Sequence, residues 1–259
     1  MREIKKRLVG MNPDFTYRGE AQTRIETLSD AVFAIAIALL VLSSSVPERF
    51  DELLLSLEDL VPFAICITLL MLVWQQHYLF FIRYGLQDSK TVVLNSVLLF
   101  LILFYVYPLK FLFQVLYKLF YVIITRDNQV YHELFDVMLK PEQGPDLMII
   151  YGIGVAAIFL VLTFMYRYAL KKEKELGLTE KEIFDTKSSV YNNFIMGCIP
   201  MISIMIALFR IGGETLSFTL SGMSYSLYGI TMPIFWKMRR TRRLRIFKKQ
   251  EASEVTSEA

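Results

Sequence analysis

Cysteine and histidine are almost missing from this 259-residue chain, which has two of each. Cys66 and Cys198 each sit inside an apolar run, which excludes a disulfide scaffold and makes them packing residues. His77 and His132 stand far apart, so no metal-ligating spacing exists. No serine or cysteine falls in a nucleophile motif. Gly152 and Gly154 give only G-x-G, without the third glycine or the strand that a dinucleotide site needs. An enzyme is therefore not expected, and neither is a cofactor. A large charge excess is also lacking: 28 Lys and Arg against 25 Asp and Glu leave a net +3, too balanced for a nucleic-acid binder.

What the chain has in abundance is apolar length. Hydrophobic residues make up 54% and aromatics 14%, yet 20% are charged, so the charges must gather between apolar blocks. A membrane-crossing helix takes about 20 mostly apolar residues. Six runs qualify: Ile25–Val46, Val61–Ile82, Thr91–Phe113, Leu147–Tyr168, Ser189–Leu208 and Leu216–Trp236. The expected fold is an all-α integral membrane protein with six transmembrane helices over residues 25–236. The apolar stretch Gln114–Thr125 either lengthens the third helix or lies at the interface, where Tyr117 and Tyr121 suit the aromatic belt. The first block carries Arg24, Glu26 and Asp30 in its first turns and lacks a small-residue exit, so it does not read as a cleavable signal peptide.

With the N-terminus in the cytoplasm, 22 of the 28 Lys and Arg fall on the inner side and six (Arg49, Lys110, Lys118, Arg126, Lys140, Arg210) on the outer side. The positive-inside rule then places both termini in the cytoplasm: a segment 1–24, and a tail 237–259 that is basic, then polar and without fixed structure. The outer connection Arg126–Asp146, with Pro141, Gly144 and Pro145, reads as a loop. The inner connection Lys171–Lys187 has helix-like charge spacing, and Thr179 suits a helix N-cap. The eight basic residues within Lys237–Lys249 hold the C-terminus inside; anionic lipid headgroups are a second use for them.

The unusual chemistry lies at the start of the first helix, R-I-E-T-L-S-D at 24–30. Charges in a membrane segment are expensive and mark function or pairing. Arg24 and Asp30 do not share a helix face, so Asp30 is expected to find its partner on another helix. His77, Asn95 and Asp30 each lie roughly 6–8 Å inside the inner boundary, counted at 1.5 Å per residue, with Trp74 one turn above His77. Three readings stay open. Asp30, Ser29, His77, Asn95 and Trp74 form a buried clamp; or His77 senses protons, as imidazole titrates near neutrality; or Arg24 and Glu26 only snorkel and Asp30 is just an N-terminal charge that the helix dipole favours.

Beyond Asp30, steps of four, three, four and three pick out Ala31, Ile35, Ala38, Leu42 and Ser45 on one stripe. Small residues there permit close helix packing. Alternatively the stripe faces a narrow pathway at the axis of a bundle, with Ile35 and Leu42 as constrictions that gate by dewetting.

R-I-E-T-L-S-D running into an Ala/Ile-rich helix resembles the R-x-x-x-F-S-D signature of the transmembrane protein 175 family of potassium channels. Trp74 and His77 as W-x-x-H, then Asp88, then Asn95 ahead of Leu98 and Pro108, are similar too, and six helices agree with its single-repeat prokaryotic branch. The resemblance implies a homotetramer in a plasma membrane, with potassium ions as cargo and four first helices lining the pathway. By that likeness Ile35 and Leu42 stand at the constriction, and Arg24, Ser29, Asp30, Trp74, His77 and Asn95 anchor the helix. Two positions depart: Leu28 replaces the usual Phe, and Ala38 stands where related channels often carry Thr, removing a coordinating hydroxyl per subunit. No T-V-G-Y-G carbonyl filter is present, so selectivity must come from elsewhere. The rival reading is a secondary transporter or proton-coupled carrier using the Asp30/His77/Asn95 layer, which calls for inverted repeats and broken helices. No internal repeat is evident.

Overall fold

The computed structural model describes residues 15–19, 21–42 and 47–257. They are helical, with no strand among them. Helix α1 (Arg24–Leu42) opens on a reciprocal cap in which Glu26 N donates to Thr23 Oγ1 and Thr23 N to Glu26 Oε1, the arrangement that satisfies free N–H groups at a helix start. A short helix α2 (Phe50–Glu58) leads into α3 (Leu60–Tyr84). Gly85 ends α3 at φ 59° and returns its N–H to the Phe81 carbonyl, a left-handed cap that suits glycine.

Helix α4 (Ser89–Thr125) starts at Asp88, whose carboxylate accepts from Thr91 N at 3.0 Å. It is 37 residues long, so Gln114–Thr125 extends the third membrane helix. The connection 126–146 is more ordered than a loop. Helix α5 (Asn128–His132) continues as a π turn over Glu133–Met138, and Leu134 and Leu139 are buried against Leu112, Val115 and Leu147. Two apolar anchors inside a charged stretch supply the order that a composition reading misses.

Helices α6 (Gly144–Lys171) and α7 (Glu180–Leu208) make the most extensive pairing in the molecule. Gly152 and Gly154 work here as packing residues: a Cβ on Gly154 would lie 2.2 Å from the Tyr105 ring of α4. Small residues of this kind let membrane helices approach closely. Thr179 caps α7 reciprocally with Glu182.

The sixth expected span is not one helix. It is divided into α8 (Glu214–Ser224) and α9 (Leu227–Ser257), so five helices among the described residues are long and apolar enough to cross a membrane. The cause is local. Ser224 Oγ and Ser226 Oγ each donate 2.7 Å to the carbonyl three residues back, and Ser203 Oγ of α7 donates to the Ser221 carbonyl. Side-chain hydroxyls that engage backbone carbonyls compete with the helical ladder. The polar tail also differs from expectation: the backbone of α9 stays helical to Ser257.

Candidate functional site

Helix α1 has two faces of different character. Ser29, Phe33, Ala36 and Leu40 are buried against α3 and α4. Offset by two residues, Ala31, Ile35, Ala38 and Leu42 are exposed, Ile35 at 52% and Leu42 at 75%. The stripe singled out by spacing thus lies on the uncovered side of α1, together with Leu28, Ala34 and Val41. Ser45 lies outside the described residues.

Two hydrogen-bond sets, one on the buried face and one beside it, hold the start of α1 in place. In the first, His77 Nε2–H donates to Asn95 Oδ1 at 2.8 Å, Asn95 Nδ2 donates to Ser29 Oγ at 2.9 Å, and Ser29 Oγ donates to the Ile25 carbonyl at 2.7 Å. All three side chains are buried, and Phe33 and Phe81 flank the imidazole. Each polar group is thus matched where no water can substitute. In the second set, Asp30 takes Trp74 Nε1 at 2.8 Å and Gln22 Nε2 at 3.0 Å. Asp30 does find its partner on another helix, but that partner is Trp74, and the five residues of the expected clamp divide into two groups. Arg24 is exposed and joins neither group among the described residues.

Sequence reasoning missed the tie below α1. The Arg18 guanidinium, in the segment that leads into α1, bonds both oxygens of Glu182 at 2.9 and 3.1 Å and the carbonyls of Leu176 and Gly177. Thr16 N donates to the same carboxylate at 2.6 Å, and Glu182 is fully buried. Gly19 N meets the Ile82 carbonyl at 3.1 Å, and a Cβ there would approach the Phe81 carbonyl to 2.7 Å. The sequence offered only Thr179 as a helix N-cap, which pointed to a helix start rather than to Arg18. Gln22 was likewise missed. Nearby, burial works to raise the Asp88 carboxyl, but hydrogen bonds from Thr91, Tyr168 and Lys172 prevail and hold it below its ordinary value.

Residues 24–105 match a family model described as endosomal/lysosomal potassium channel TMEM175. The chain is also 47% identical over 249 residues to a potassium channel of Marivirga tractuosa, covering 94% of this chain and 99% of that one. The chain belongs to the TMEM175 family of potassium channels. A crystal structure of a threonine-to-alanine variant of the potassium channel MtTMEM175, bound to a nanobody–MBP fusion protein, superposes with a TM-score of 0.75. It is 45% identical and covers 90% of this chain and all of that one. The TMEM175 match spans α1, α3 and the first half of α4, the helices that carry both hydrogen-bond sets. TMEM175 proteins are channels, and the apolar helices make this one a multi-pass membrane protein.

Proposed function

We propose that four copies of this chain surround a potassium pathway lined by α1, with Ala31, Ile35, Ala38 and Leu42 facing the axis. The observation that carries this reading is the uncovered stripe on α1, large and aliphatic at Ile35 and Leu42, in a helix whose opposite face is pinned by Ser29 and Asp30. Ile35 and Leu42 then form rings that block conduction when narrow by excluding water. Arg24, Ser29, Asp30, Trp74, His77 and Asn95 act as anchoring residues. Potassium passes in preference to sodium and leaks down its gradient without a coupled solute.

The channel body is residues 25–236, crossing a plasma membrane six times, with the α8–α9 pair as the sixth crossing. The segment 1–24 and the tail 237–259 then lie in the cytoplasm. Anionic lipid headgroups suit the basic stretch Lys237–Lys249 at about 1 kcal/mol per residue near the surface. Family membership favours a channel over a carrier. Reconstitution in liposomes tests this: electrogenic potassium flux, faster than sodium flux and independent of any second solute, supports the channel. Flux that stops without a co-substrate refutes it.

A further inference from the structure

We infer that Lys110 is the outer anchor of the pore helix, holding the last described turn of α1 off the axis and so setting the width at Leu42. The inference rests on the proposal that α1 lines the pore. Lys110 lies within α4 and is only 6% exposed. A lysine at such a position inside an apolar helix is costly and needs partners. Its Nζ donates to the Leu40 carbonyl at 3.1 Å, across 70 residues of sequence. Leu40 is in the last described turn of α1, where the negative end of the helix dipole favours a cation.

The direction of the tie is what links it to conduction. Leu40 is buried, while Val41 and Leu42 beside it are exposed, so Lys110 holds α1 from the side opposite the uncovered stripe. One helix thereby grips α1 twice, through Asn95 to Ser29 and through Lys110 to Leu40, with Ile35 and Ala38 between the two grips. Weakening the outer grip lets this turn of α1 lean toward the axis and narrow the ring of Leu42 side chains.

The test is potassium flux per assembled channel in liposomes for Lys110→Met, Lys110→Gln and Lys110→Arg, with Ile35→Asn measured beside them. Lys110→Met is expected to lower flux roughly tenfold, the size of losing a hydrogen bond from a charged group. Lys110→Arg, which keeps a cationic donor, is expected to conduct well above Lys110→Met. If the Met variant fails to assemble, Lys110→Gln decides: reduced flux supports the anchor and parental flux overturns it. Parental flux in an assembled Met variant, or an Arg variant no better than Met, also overturns it while Ile35→Asn still alters the current. If Ile35→Asn changes nothing, the pore reading itself falls and the anchor falls with it.

Discussion

Asn95 and Ser29, 66 residues apart in sequence, meet in a 2.9 Å hydrogen bond with both side chains out of reach of solvent. Because the Asn95 oxygen also accepts from His77, one amide joins three helices. Replacing it removes two interhelical bonds and strands the imidazole nitrogen, while the Ser29 hydroxyl keeps only its bond to the Ile25 carbonyl.

Asn95→Ala is therefore expected to destabilise the protein by about 1–3 kcal/mol, the cost of leaving buried polar groups unpaired. Polar contacts between membrane helices tend toward the lower end of that range. Thermal denaturation in detergent measures it. A melting temperature equal to that of the parent would show that the amide contributes nothing.

The Arg18–Glu182 pair gives an asymmetric expectation. Arg18→Ala leaves a fully buried carboxylate without its counter-charge, a change that costs about 3–5 kcal/mol in buried pairs. Glu182→Gln keeps an acceptor for Arg18 and for Thr16 N, and should cost less. Chemical denaturation of the two variants checks the order; equal losses would argue against a charge pairing at this junction.

The junction of Asp88 with Lys172 gives a pH window. The Asp88 carboxyl is lowered from its ordinary 3.8, so its contribution is complete above that value and is lost as pH falls through the lowered one. Lys172 is raised from 10.5 by its bonds to Asp88 and Glu175, so its contribution is complete below 10.5 and is lost as pH rises through the raised value. The melting temperature of Asp88→Asn is expected to fall less steeply than that of the parent below pH 3.8. Parallel curves would contradict the shift.

At the α4–α6 contact, Gly154→Ala places a methyl group 2.2 Å from the Tyr105 ring. Overpacking of this kind costs about 1–3 kcal/mol. Tyr105→Leu in the same chain is expected to recover part of the loss, which a double-mutant cycle of melting temperatures reads directly.

Much of this architecture was legible in the sequence because a bilayer demands apolar length, and the first five runs supply it. The helix 1 motif also placed Asp30, His77 and Asn95 at one depth. Depth does not give neighbours, so the division into an Asp30–Trp74 set and a Ser29–Asn95–His77 set needed the structure. Lys110 counted only as an outer-side charge, since nothing in its local sequence shows that it turns inward to the Leu40 carbonyl. The break before Leu227 was hidden for another reason: serine lowers a hydropathy sum only slightly, while its hydroxyl can compete for backbone carbonyls, as Ser224 and Ser226 do. Arg18 and Glu182 are separated by 164 residues, beyond any local spacing rule.

The account stands most directly on the orientation of Ile35. In a Cys198→Ser background, which removes the exposed native thiol, Ile35→Cys and Phe33→Cys place a thiol on opposite faces of α1. Silver ions added during potassium current recording are expected to block Ile35→Cys rapidly and to leave Phe33→Cys conducting. A current through Ile35→Cys that silver does not touch would contradict a pore lined by this stripe.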